Sequence, residues 1–286
     1  MKYISIYQNY YQPPQVARLD PAFLPHDGTD NPSPELKEIA LFRKVQRMGL
    51  FERGDEIAGI VSHKFGRKTG ITGDAFKSFI HNNPGFDVYF INPFPQNAYF
   101  SYNVWEHGEA CHRGLMPLAQ RLFNASGLEW DMEVLPRNDK RTLLYCNYWA
   151  GNKKFWSAYM TLVERLLAAL GNMEDAEQNL FYANTTHVTP EPMLNFILER
   201  VFSTFLAVTP ELKGLAYAHS EEEVRISCIG DAQLDAVNTL GSIVDRWDET
   251  GSYDQEKREL FRFFTRSVCG RKAAETTVAG YPERLL

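Results

Sequence analysis

The stretch Phe86-Asp87-Val88-Tyr89-Phe90-Ile91, closed by Asn92-Pro93-Phe94-Pro95, decides the fold. A run rich in β-branched and aromatic residues predicts a buried strand. The prolines end it because proline cannot donate to a sheet ladder. Upstream, Ile57-Ala58-Gly59-Ile60-Val61-Ser62 predicts a second short buried strand and Lys2 to Tyr7 an opening one; downstream, Thr142 to Tyr148 predicts another. Helical patterns lie between them. Ser33 is placed as an N-cap with Pro34 behind it. Leu36, Ile39, Ala40, Val45 and Leu50 follow at helical spacing, and Gly49 marks the stop. Thr72 to His81 predicts a threonine-capped helix and Leu115 to Leu128 a further one.

Asn152 caps a strongly amphipathic pattern, with Phe155, Trp156, Tyr159, Met160, Val163, Leu166, Leu167 and Leu170 on one face. Thr189 and Pro190 open the next helix, which carries Leu194, Ile197, Leu198, Val201, Phe202, Phe205 and Leu206. Strands alternating with helices over residues 1–220 predict an α/β layered sheet. Residues 221–286, helical and charged through Leu234 to Trp247 and Glu256 to Val268, predict a C-terminal helical extension packed on it. The segment from Gln12-Pro13-Pro14 to Asp30-Asn31-Pro32 is too long and polar for a tight turn.

The 286 residues fit one large domain or two modest ones. With 44% apolar and 23% charged residues, wholesale disorder is excluded. Lysine plus arginine (30) falls short of aspartate plus glutamate (36), a net charge of -6 that argues against a generic nucleic-acid partner. No apolar run approaches the ~20 residues of a spanning helix. The amino terminus turns polar too early for a signal-peptide core, so the expected location is cytoplasmic, with at most peripheral membrane contact. Cys111, Cys146, Cys228 and Cys269 are far apart and form no C-x-x-C pair, so reduced structural thiols are expected. Aromatic residues at 13% suit a dense core or a cleft that stacks on flat ligand faces.

Phosphate-cradling G-x-x-x-x-G-K-[ST], G-x-G-x-x-G and G-x-S-x-G patterns are all missing. Less famous groupings remain. In Trp105-Glu106-His107-Gly108-Glu109-Ala110-Cys111-His112-Arg113-Gly114, His107 and Cys111 share a helical face, whereas His107 and His112 stand roughly 140° apart. Glu109 and His112 make one Glu-x-x-His pair, and the second copy that a di-iron bundle needs is missing. Gly108 and Gly114 suggest a loop running into a helix; acid–base work, ligand binding and an ordinary capped loop all fit. Ser62-His63-Lys64-Phe65-Gly66-Arg67-Lys68 follows a strand, where loops of open α/β sheets collect ligands. It fits a diphosphate clamp or a solvated basic turn. Asn92 fits a contact to a sugar hydroxyl or a plain Asn-Pro turn. Asn147, amid Tyr145-Cys146-Asn147-Tyr148-Trp149, fits a carbohydrate contact or a strand end packed by core aromatics.

In order, these blocks resemble a glycosyltransferase-like family encoded in bacterial capsule and lipopolysaccharide gene clusters. The matching blocks are Gln8-Asn9-Tyr10, then Asn31 leading into the helix with Glu35, then Ile57-Ala58-Gly59-Ile60-Val61-Ser62-His63-Lys64-Phe65. Asn147 through Phe155-Trp156 and Tyr159 follows, and Leu198-Glu199-Arg200-Val201-Phe202-Ser203-Thr204-Phe205-Leu206 closes the series. The resemblance covers residues 1–220. It implies a Rossmann-like, type-A glycosyltransferase-like sheet and transfer of a sugar from a nucleotide-diphospho-sugar to a bacterial surface glycan. Within it, Gln8, Asn9, Tyr10, His63, Lys64 and Asn92 are expected to bind the donor. Asn147, Trp149 and Trp105 are expected to bind the acceptor, with Glu109, His107 or His112 as the base. Type-A enzymes usually hold a divalent ion with Asp-x-Asp after a hydrophobic strand. Phe90-Ile91-Asn92-Pro93-Phe94 carries no such pair, so a divalent metal is left without support, no metal ligand is assigned, and Lys64, Arg67, Lys68 or backbone amides are expected to meet the leaving-group charge. The alternatives are a non-catalytic carbohydrate-binding or scaffolding protein of the same fold, and a metal-dependent hydrolase centred on Glu109 and His112.

Overall fold

The structure is a computed structural model that describes residues 3–31, 33–49, 56–185 and 191–275. Its strands are β1 (Tyr3–Tyr10), β2 (Leu24–Asp27), β3 (Glu56–Ser62), β4 (Val88–Phe90), β5 (Trp149–Gly151) and β6 (Gly214–Ala216). Helices α1 (Glu38–Arg47), α2 (Phe65–Thr69), α3 (Gly73–Asn82), α4 (Asn97–Phe100), α5 (Val104–Cys111) and α6 (Leu115–Ala125) fill the first half. Helices α7 (Lys153–Gly171), α8 (Asp175–Tyr182), α9 (Met193–Val208), α10 (Glu221–Ser227), α11 (Asp231–Thr250) and α12 (Gln255–Glu275) follow.

The strands form one mixed sheet in the order β2-β1-β3-β5-β4-β6. β1 pairs in parallel with β2 and β3, β4 pairs in parallel with β6, and β5 runs antiparallel between β3 and β4. Strand alternation divides the core between two faces. Ala58, Ile60, Val88, Phe90 and Trp149 point into the larger apolar cluster with α1, α6, α7 and α9. Ile57, Val61, Tyr89, Ile91 and Ala150 point the other way, onto Phe65 of α2 and Phe76 and Ile80 of α3. Gly59 is required by the β5 pairing, because a Cβ there would lie 2.5 Å from the Trp149 carbonyl oxygen.

Local signals explain the elements that match expectation. Thr72 Oγ1 accepts the Ala75 N–H at 3.2 Å and starts α3; Asn152 Oδ1 accepts the Phe155 N–H at 3.0 Å and starts α7. Helix α7 then buries Phe155, Trp156, Tyr159, Met160, Val163, Leu166 and Leu170, at about 1.5–3 kcal/mol for each large apolar side chain removed from water.

Several expectations need correction. The strand expected over Thr142 to Tyr148 is a loop, and only Trp149–Gly151 pairs. Its backbone donors are taken by side chains of α9: Leu144 N–H by Ser203 Oγ at 2.8 Å, and Cys146 N–H by Glu199 Oε1 at 2.8 Å. The strand expected from Phe86 to Ile91 is three residues long. The loop expected around Gly108 is helix α5, because Asn103 Oδ1 caps it by accepting the Trp105 and Glu106 N–H groups. The helix expected from Ser33 is a 3₁₀ turn over Pro34–Leu36, broken at Lys37 (φ 48°), before α1 begins. The expected helix-opening residues Thr189 and Pro190, and Leu50 in the first helix, lie outside the described residues.

Helices α11 and α12 dock on α4 and α5 through Phe100, Tyr102, Val237, Leu240, Val244, Phe261 and Val268. At this junction Arg137 is buried in a paired grip on Asp248, with Nε–Oδ1 at 2.8 Å and Nη2–Oδ2 at 3.2 Å. Among the described residues, no helix is long and apolar enough to cross a membrane.

Candidate functional site

Sheet topology locates the site before any side chain is considered. From β1 the chain passes to β2 on one side and then to β3 on the other, so β1 marks the point where strand order reverses. In open α/β sheets the crevice off the carboxyl ends of such strands receives ligands. A cavity of about 580 Å³ lies there, reached by Tyr11 after β1, Gly28 and Thr29 after β2, and Ser62 at the end of β3 with His63 and Lys64 behind it. Its other wall is made by Lys37 and Glu38 at the start of α1, Lys68 of α2, Cys146 and Tyr148, and Glu199 and Phe196 of α9.

The wall carries both cations and carboxylates, interspersed: Lys37 pairs with Glu191 at 3.2 Å, and Lys68 lies within electrostatic reach of Glu38 and Glu199. Among the cations, burial depresses the His63 pKa below its usual 6.5, and the neighbouring Lys64, Arg67, Arg18 and Lys68 depress it further. Burial likewise lowers the Lys64 pKa, and Lys68 and Arg67 add to the effect. These groups repel one another, an arrangement that an anion relieves. Lys68 keeps its proton against burial because Cys146, Tyr148 and Glu199 hold its pKa above the lysine range. Its ammonium donates to the Cys146 sulfur at 3.1 Å. Burial pushes the Cys146 thiol up to about 11, so Glu199 is the anion that supports Lys68 at neutral pH.

Carboxylates stand among the cations. Glu38 is half-buried, and desolvation, with Glu199 as a further anion nearby, raises its pKa above the usual 4.5. Burial together with a like charge raises a carboxylate's affinity for a proton, which suits it to proton transfer.

Backbone conformation singles out the same wall. The non-glycine residues with positive φ among those described are Lys37 (48°), Cys146 (64°) and Asn147 (54°). Two of them line the cavity and the third sits between lining residues. Such conformations cost about 1–3 kcal/mol each and gather at functional sites. Asn147 Oδ1 is buried with no hydrogen-bond partner among the described residues, as is Asn9 Nδ2. Gly28 is needed beside Asn9, since a Cβ there would lie 2.4 Å from Asn9 Oδ1.

The expected site residues divide clearly. His63 and Lys64 line the cavity, and Asn147 and Asn9 stand next to lining residues. Gln8 is spent on the backbone, accepting from Asp20 N at 2.6 Å and donating to the Ser62 carbonyl at 3.2 Å. Tyr10 is not a lining residue; Tyr11 is. Asn92 closes its own Asn-Pro turn, with Oδ1 accepting the Phe94 N–H at 3.1 Å and Nδ2 donating to the Phe94 carbonyl at 3.2 Å. Trp149 is a core side chain, and Trp105 is buried with its Nε1 donating to Thr204 Oγ1 at 2.7 Å. Glu109 stands apart from the cavity, capping α6 by accepting the Gly114 and Met116 N–H groups at 2.8 Å. It lines a separate hollow of about 460 Å³ with Glu106, Met116, Arg262 and Thr265. His112 packs on Phe196 with ring centroids 4.0 Å apart, and His107 is buried against Tyr145.

Sequence reasoning missed Glu38, Lys37 and Tyr11, and named Glu199 only within the closing block of the resemblance. Glu199 was visible as a charged residue off the apolar stripe of its helix. Glu38 carried no signal, because a glutamate near a helix start is ordinary. Among the described residues, the one group of three His, Cys, Asp or Glu side chains with converging ligand atoms lies elsewhere. No family model, curated protein or solved structure matches this chain.

Proposed function

We propose that the protein is a glycosyltransferase with a type-A-like sheet, moving a sugar from a nucleotide-diphospho-sugar to a glycan hydroxyl. The observation that carries this reading is the cavity at the strand-order reversal, lined by both lysines and buried carboxylates. Lys64 and Lys68, with His63 beside them, face a diphosphate, and Glu38 faces the acceptor. Departure of a nucleoside diphosphate needs its developing charge neutralised, which fixed ammonium groups in a partly desolvated cleft can do. Glu38 takes the acceptor proton as the hydroxyl attacks the anomeric carbon. Tyr11 offers a ring edge to the base or sugar, next to His63 at a centroid distance of 5.9 Å. No step is routed through a divalent ion.

Release of nucleoside diphosphate from a panel of nucleotide-sugars, with and without oligosaccharide acceptors, tests the proposal. Turnover that falls in Glu38→Gln while donor binding persists supports it. Donor or glycan binding without turnover in the unaltered chain turns the reading to a non-catalytic carbohydrate binder.

A further inference from the structure

Away from the cavity, α5 and α12 bring together three side chains with metal-ligating atoms. His107 and Cys111 lie one turn apart on α5, and Cys269 approaches from α12. Cys111 Sγ is 3.7 Å from His107 Nε2 and 3.0 Å from Cys269 Sγ, and the three ligand atoms all lie within 4.8 Å of one another. His107 and Cys269 are buried and Cys111 half-buried. We propose that His107, Cys111 and Cys269 bind a thiophilic divalent ion of the zinc type, which ties α12 to α5.

Geometry and charge both favour a metal. Zn–S bonds of about 2.3 Å and Zn–N bonds of about 2.0–2.1 Å put tetrahedral ligand atoms roughly 3.5–3.8 Å apart. The His107–Cys111 separation already meets that spacing, and the two sulfurs need to part by well under an ångström. Two thiols give up their protons to solvent as the ion enters, so two thiolates balance a 2+ charge and a neutral imidazole completes the set. The buried cluster then carries no net charge. A dithiol joined as a disulfide would leave the imidazole without a part in the cluster. A fourth donor stands nearby: the Tyr145 hydroxyl is buried, has no hydrogen-bond partner among the described residues and interacts electrostatically with both Cys111 and Cys269. Its ring lies against His107, with centroids 5.4 Å apart.

The helix pairing holds the ligands in register. Arg258, Arg262, Thr265 and Cys269 fall on one stripe of α12. Arg258 and Arg262 both pair with the buried Glu106 of α5, at 2.7 and 3.2 Å, and Thr265 Oγ1 donates to the Phe100 carbonyl at 2.6 Å. Cys269 is the next position along that stripe.

The test is titration of the reduced, chelator-treated full chain with Co²⁺, followed by absorption. The expected result is one equivalent bound, with a sulfur-to-cobalt charge-transfer band and tetrahedral d–d bands. Zn²⁺ displaces both, and both disappear in Cys111→Ser and Cys269→Ser but persist in Cys228→Ser. Absence of the charge-transfer band in the unaltered chain overturns the proposal, as does its survival in either ligand variant. Should those variants fail to fold, alkylation of the unaltered chain decides. One equivalent of Zn²⁺ is expected to slow modification of Cys111 relative to Cys228, and equal rates with and without zinc overturn it.

Discussion

Glu199 accepts the backbone N–H of Cys146 at 2.8 Å, and Cys146 holds φ at 64°. A helix side chain thus fixes a strained loop residue at the cavity wall, and the loop that sequence alone reads as a strand owes its shape to α9. Removing the acceptor leaves a buried donor unpaired. Glu199→Ala is therefore expected to lower stability by about 1–3 kcal/mol, and Glu199→Gln, which still accepts, by less. Urea unfolding of the two variants checks the order.

The strain itself is testable at Cys146. A β-branched side chain tolerates positive φ poorly, so Cys146→Val is expected to cost about 1–3 kcal/mol. Cys146→Gly removes the conformational penalty while losing the thiol, and the two effects nearly offset. Thermal unfolding that ranks Val above Gly in stability would contradict the assigned backbone.

Proton linkage gives binding and turnover opposite trends. The folded His63 pKa lies below its unfolded value near 6.5, so the unfolded chain binds the extra proton. The stability from neutral His63 is complete above about pH 6.5 and is lost as pH falls through that range. A bound diphosphate offsets the surrounding cations and raises the His63 pKa, so affinity tightens from about pH 8 to about pH 6. Turnover falls on the acid side as Glu38, whose pKa is raised by burial and by Glu199, gains its proton. Calorimetry and rate profiles on His63→Gln, which should flatten the affinity trend, separate the two groups.

At the far end, Arg137 and Asp248 are both buried and joined by two bonds. Truncating one partner strands a charge away from water. Asp248→Ala is expected to destabilise the chain by about 3–5 kcal/mol, an effect that denaturant midpoints would register without any change in cavity chemistry.

Helix positions were largely legible, because capping and 3.6-residue spacing are local: Thr72 and Asn152 announce α3 and α7 from their own neighbourhoods. The central strands β3 and β4 were legible from apolar runs. β2 and β6 were not, because Leu24–Asp27 and Gly214–Ala216 are short edge strands whose pairing depends on partners distant in sequence. The site divides the same way. His63 and Lys64 follow a readable strand, so their place at its carboxyl end could be inferred. Glu38 and Lys37 face them only because α1 starts across the cleft. Glu109 looked catalytic in a polar run, yet its carboxylate is occupied by the amides that start α6.

The most direct test of the central claim is the affinity of a panel of nucleoside diphosphates for the unaltered chain and for Lys64→Met with Lys68→Met. Losing charge-assisted contacts worth about 1.5–3 kcal/mol each predicts saturable binding of at least one diphosphate, weakened in the double variant by at least about tenfold. Failure of every diphosphate to bind, or equal affinity in the two proteins, would contradict a phosphate-binding cavity at the ends of β1 to β3.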